Sequence, residues 1–83
     1  MQQEKMEASM SILIMSIASS AVMAMGLSPD PQTGQTSKDK QMARFNIDLL
    51  LVLQQKTKGN LTNDEAQFLE NLISDLQIKY VSI

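Results

Sequence analysis

The chain has 83 residues, no cysteine, no histidine and a formal net charge of −2, so it forms one domain at most, with a small core of its own. Without those two residue types, disulfides and the usual zinc ligands are excluded as reinforcement, which leaves oligomerisation as the route to added stability. The acidic balance, with a pI near 4.8, also argues against a broad electrostatic footprint for nucleic acid.

Residues 1–7, Met1 to Glu7, are polar and mixed in charge, with too little apolar surface to offset the entropy of ordering. They read as a disordered N-terminal segment ahead of a single helical domain over 8–83. Helix one is expected over about 8–25. At 100° per residue, Met10, Ile14, Ile17, Ala21 and Met25 fall on one stripe. Ser9, Ser16 and Ser20 lie opposite, and Ile12, Leu13, Met15, Val22 and Met23 fill the flanks. A helix apolar nearly all round is buried on all sides or spans a membrane. Gly26 supplies the left-handed residue that commonly closes such a helix.

Leu27 to Ser37, "LSPDPQTGQTS", is a loop by its chemistry, with two prolines that lack amide donors and a glycine that permits a tight turn. Ser37 or Thr36 is the expected cap of helix two, placed over about 38–57. Its main apolar stripe reads as Met42, Phe45, Leu49, Leu50 and Leu53, widened by Ala43, Leu51 and Val52. Gln41, Arg44, Asp48 and Gln55 make the solvent side.

"KTKGNLTNDE" at 56–65 is the clearest punctuation. Lys56 and Lys58 suit a helix C-terminus, Gly59 suits a left-handed turn, and Thr62 with Glu65 forms a capping box for helix three, over about 63–80. So short a link makes helices two and three an antiparallel hairpin. Leu69, Leu72, Ile73, Leu76, Tyr80 and Ile83 share one face of helix three, while Phe68 and Ile78 fall away from it.

The apolar first segment is the main question. A spanning helix needs about 20 predominantly apolar residues, and Met10 to Met25 is shorter and contains four serines. A signal peptide would carry a positive leader, yet Lys5 is outweighed by Glu4 and Glu7, and cleavage after Ala24 would leave two amphipathic helices uncovered. The favoured reading places helix one centrally, against helices two and three on one side and against a second copy or a partner on the other. Met10, Ile14, Ile17, Ala21 and Met25, with Ser16 and Ser20, are the candidate oligomer or partner interface. The serines permit close backbone approach and can bond back to carbonyls one turn earlier.

Three polar residues are candidates to face a partner. Asn46 shares a face with Met42, Leu49 and Leu53, where a buried amide lines a pocket or, more often, fixes helix register. Arg44 and Asp48, four apart on the outer face, read as an exposed ion pair, with Arg44 the anchor if a partner binds there. Lys56, Thr57 and Lys58 suggest a phosphate or RNA backbone, but the carbonyl end of a helix repels anions. Asp64, Glu65, Glu70 and Asp75 lack the clustering of a calcium or di-metal site, and no nucleophile has a partnered base. No catalytic residue, cofactor or metal is expected.

The runs "ARFNIDLL" at 43–50, "KTKGNLTNDE" at 56–65, Tyr80–Val81 and "SIASSAVMAMGLSPDPQTG" at 16–34 resemble the bacterial family of small helical proteins known as domain of unknown function 1844. The resemblance runs from about Ala8 to Val81 and departs at Gln77, where the family tends to have arginine. It implies a cytoplasmic protein that keeps its apolar first segment, and it brings no activity or cofactor. The combined expectation is an all-α three-helix bundle, a homodimer acting as a cytoplasmic interaction module, possessing no enzyme activity. A membrane-peripheral protein anchored by helix one is one alternative. A small RNA- or ribosome-associated factor using Lys56, Lys58 and Lys79 is the other; membrane and nucleic acid are the disfavoured partners.

Overall fold

In the computed structural model, residues 8–83 are described, and the expected disorder of 1–7 lies outside them. Three helices follow in order: α1 (Met10–Ala24), α2 (Lys40–Lys56) and α3 (Asn63–Val81). The only strand-like pairing among the described residues is an isolated antiparallel bridge between Met25 and Lys38. The all-α three-helix bundle expected from the pattern is the fold.

Each helix begins on a side chain that answers a free backbone amide. Ser9 Oγ accepts from the Ile12 amide at 3.1 Å, Asp39 Oδ1 from Met42 at 3.1 Å and Thr62 Oγ1 from Glu65 at 3.1 Å. The capping box at α3 is complete, because Glu65 Oε1 accepts in return from the Thr62 amide at 2.9 Å. At the other end of α1, Gly26 at φ 78° allows the Gly26 amide to reach Met23 O and the Leu27 amide to reach Val22 O, at 3.0 and 3.2 Å. That pair of bonds is a Schellman closure, and it stops α1 where the sequence placed the glycine.

Helix two starts later than expected, and its cap is Asp39 instead of Ser37 or Thr36. Tertiary structure decides this. The Asp39 amide donates to Ala24 O at 2.7 Å, and the Met25–Lys38 bridge continues the same seam, so residues just before α2 pair with the end of α1 instead of coiling. The two ends are pinned together across the loop, which turns on the Asp30 carbonyl accepting from Gly34 at 2.7 Å.

The core comprises Ile14, Ala18, Ala21, Ala24 and Met25 from the α1 region, Ala43, Ile47 and Leu50 from α2, and Leu69, Ile73 and Leu76 from α3. Fully burying a leucine-sized side chain contributes roughly 1.5–3 kcal/mol. Alanines at 18, 21, 24 and 43 let helix axes approach closely, and the broadest contact between helices is indeed α1 with α2. Helices α2 and α3 run antiparallel: Gln54 and Thr57 lie beside Leu61 and Ala66 at one end, and Arg44 and Asp48 beside Gln77 and Tyr80 at the other. Three helices packed in this way leave helix faces uncovered, among them Ile12, Leu13 and Met15 on α1 and Met42, Phe45 and Val52 on α2.

The assignment of helix faces needs correction at α2. Phe45 is 56% exposed and Met42 49% exposed, whereas Ile47, which the stripe omitted, is buried beside Leu50. The inward face of α2 is therefore Ala43, Asn46, Ile47, Leu50 and the partly buried Leu53. On α3, Ile78 is exposed as expected, but Phe68 packs against the core.

Candidate functional site

Helix α1 has two different apolar sides. Ile14, Ala21 and Met25 are buried within the chain, and Met10 and Ile17 pack partly buried against the same core. Most of the stripe read as an oligomer interface thus meets α2 and α3 of its own chain. The outward side holds Ile12, Met15, Ser16, Ser19 and Met23. Ile12 is 53% exposed and Met15 47% exposed.

Two properties suit this outward side to contact with protein. First, Met10–Ala24 contains no charged residue, so α1 itself contributes no ionised group that would oppose burial. Second, two of its serine hydroxyls have partners already: Ser16 Oγ donates to Ile12 O at 2.9 Å and Ser20 Oγ to Ser16 O at 3.1 Å. Covering these two strands no donor. The sequence singled out Ser16 and Ser20 correctly as small residues on the far side of α1. It treated Ile12, Met15 and Met23 as flanks, because a helix apolar nearly all round gives no moment to orient it.

Asn46 is 7% exposed and sits where α1 and α2 meet. Its Nδ2 donates to Met42 O at 2.9 Å, so the buried amide is satisfied inside its own helix. It also lines an open groove of about 380 Å³ with Ser20, Met23, Asp30, Ser37, Asp39 and Met42. Two carboxylates, two hydroxyls and two amides share that groove with Met23, Ala24 and Met42, and none of its buried polar side-chain atoms lacks a hydrogen-bond partner. Among the described residues no cluster of acidic side chains is arranged to hold a metal ion.

Arg44 and Asp48 form the expected exposed pair, Nε to Oδ1 at 3.6 Å, at the mouth of a shallow cleft with Tyr80 and Gln77. Such a pair contributes at most a few tenths of a kcal/mol, about 0.3–0.5. A second pair, Lys79 Nζ to Asp75 Oδ2 at 2.8 Å, was not anticipated, although its spacing of four on α3 was visible in the sequence. It places a carboxylate against one of the three lysines of the RNA alternative. Lys56 and Lys58 are exposed at the end of α2, and Thr57 Oγ1 is held by Leu53 O at 2.7 Å.

No helix among the described residues is long and apolar enough to cross a membrane. No curated protein and no solved structure matches the chain significantly. One family does, and its sequence profile covers nearly the whole domain, including all three helices and both connecting loops. The chain belongs to the family described as Domain of unknown function (DUF1844), matched over residues 7–82.

Proposed function

We propose that the protein is a self-associating interaction module of the bacterial cytoplasm with no catalytic activity, a dimer joined through the outward side of α1. The observation that supports this reading is the uncharged surface of Ile12, Met15, Ser16, Ser19 and Met23, whose serine hydroxyls at 16 and 20 are already bonded to backbone carbonyls. Contiguous apolar surface of this kind marks an interaction site more often than it occurs by chance on a monomer. Methionine adds adaptable packing. A second copy is the natural occupant, because an identical uncharged face imposes no like-charge repulsion across a two-fold axis.

The reading without an enzyme is supported by the chain's composition: it has neither histidine nor cysteine, the residues that most often serve as catalytic base and thiol nucleophile. Sedimentation equilibrium over a range of concentrations tests the dimer. The wild-type chain is expected at twice its 9.2 kDa mass. Ile12→Glu with Met15→Glu is expected at the single mass with its helical circular dichroism intact. The glutamate at 12 would occupy the third helical position after the Ser9 cap, where it favours the helix. A wild-type monomer at every concentration, or a dimer that survives both substitutions, contradicts the proposal.

A further inference from the structure

Methionine holds all the sulfur in this chain, with seven residues against no cysteine, and tryptophan is absent as well. A two-electron oxidant such as a peroxide therefore finds its main targets in thioethers. The described methionines differ in what can reach them. Met25 is sealed in the core, and Met10 packs half-buried against it. Met15 is about half exposed and Met23 half-buried, and both border the hollow on the outward side of α1 with Ile12 and Ser19. Met42, about as exposed as Met15, lies on α2.

We propose that Met15 and Met23 are oxidation sites that make self-association sensitive to peroxide, an inference that rests on the dimer reading of this side of α1. The sulfur lone pair forms an S–O bond as the peroxide O–O bond breaks; sulfur gives up two electrons, and the other oxygen leaves as water. Each product is a sulfoxide, a polar acceptor in place of an apolar thioether. Few donors stand ready to answer it, because the Ser16 and Ser20 hydroxyls already donate to their own helix. A two-fold contact repeats the change on both copies, so four sulfoxides would enter one interface. The fold itself is spared, since Met25, the methionine of the core, is shielded. A closed dimer covers Met15 and Met23, so oxidant acts on the free subunit, and oxidised subunits are then lost to reassociation by mass action. Sulfoxide reductases reverse such a change.

The test treats the full chain with hydrogen peroxide, maps each sulfoxide by peptide mass spectrometry and follows the sedimentation mass. Met15 and Met42 should oxidise at similar rates in dilute, monomeric samples, Met15 should fall well behind Met42 where the chain is dimeric, and Met25 should be last throughout. Sulfoxides at 15 and 23 should raise the dimer dissociation constant about tenfold or more, with the helical circular dichroism unchanged. Met15→Leu with Met23→Leu should stay dimeric after the same treatment, whereas Met42→Leu should dissociate as the wild type does. A dimer that tolerates sulfoxides at both positions, or a doubly substituted chain that dissociates on oxidation, overturns this inference and leaves the dimer reading standing. Equal rates at Met15 and Met42 at every concentration, early oxidation of Met25, or loss of helix together with the dimer also overturns it. An untreated chain that is monomeric at every concentration overturns both readings.

Discussion

The two sides of α1 are built from the same residue types and meet opposite fates. Ile14 and Met25 are sealed in the core, while Ile12 and Met15, one or two positions away in sequence, stand about half exposed. What separates them is the company each side keeps. The inner side alternates large residues with Ala18 and Ala21 and fits against Ala43 and Ile47 in the same core, whereas the outer side is punctuated by Ser16, Ser19 and Ser20. Hydrophobicity alone therefore does not tell the two sides apart, and the serines mark the one that its own chain leaves more exposed.

Substitutions can break the comparison, beginning with the inner side. Ile14→Glu places an unpaired charge in the fully buried position at the centre of the core and is expected to abolish the cooperative unfolding transition seen by circular dichroism. A persistent sharp transition would show that the inner side is not the core. Leu50→Ala, on the α2 wall of the same core, should destabilise the chain by about 2–5 kcal/mol in urea titrations, by lost transfer energy and the cavity left behind. Each of these acts on folding. Ile12→Glu on the outer side should leave the unfolding free energy of the isolated subunit within about 0.5 kcal/mol, as surface substitutions commonly do.

Two smaller effects sharpen the contrast between buried and local interactions. Thr62→Ala removes one half of the capping box and should cost about 1 kcal/mol, measured by denaturant unfolding, with amide exchange fastest in the first turn of α3. Asp48→Asn should change stability by no more than about 0.5 kcal/mol, because its partner Arg44 is itself largely exposed. A loss of several kcal/mol at Asp48 would mean that the Arg44 cleft is covered by something in solution.

How legible the molecule was in its sequence follows the same division between local and distant causes. The bounds of helix α3 and its Leu69, Ile73 and Leu76 stripe were readable, since Thr62 and Glu65 cap it through neighbours three residues apart, although Phe68 joins the core it was set apart from. The start of α2 was not, because Asp39 became the cap only when the Met25–Lys38 bridge drew the preceding residues to the end of α1, a contact between distant segments. Nor was the inward face of α2. Apolar residues occupy every position from Leu49 to Leu53, so several stripes compete, and the one drawn through Met42 and Phe45 passes by Ile47.

The candidate surface was legible in part. Ser16 and Ser20 were identified, and their back-bonding to carbonyls is present. The stripe of Ile14, Ala21 and Met25 was the right cluster in the wrong place for a partner, since it is the side that its own α2 and α3 cover. Periodicity finds a stripe, but when the remainder of the helix is nearly as apolar it does not say which neighbour covers it.

The most direct measurement is a methyl nuclear Overhauser experiment on a sample mixed from carbon-13-labelled and unlabelled chains, in which only contacts between copies give signals. Ile12, Met15 and Met23 are expected to show contacts between chains, and Ile14, Ala21 and Met25 contacts within one chain alone. Signals between copies confined to the methyls of α2 and α3, or none at all at millimolar concentration, would contradict the account.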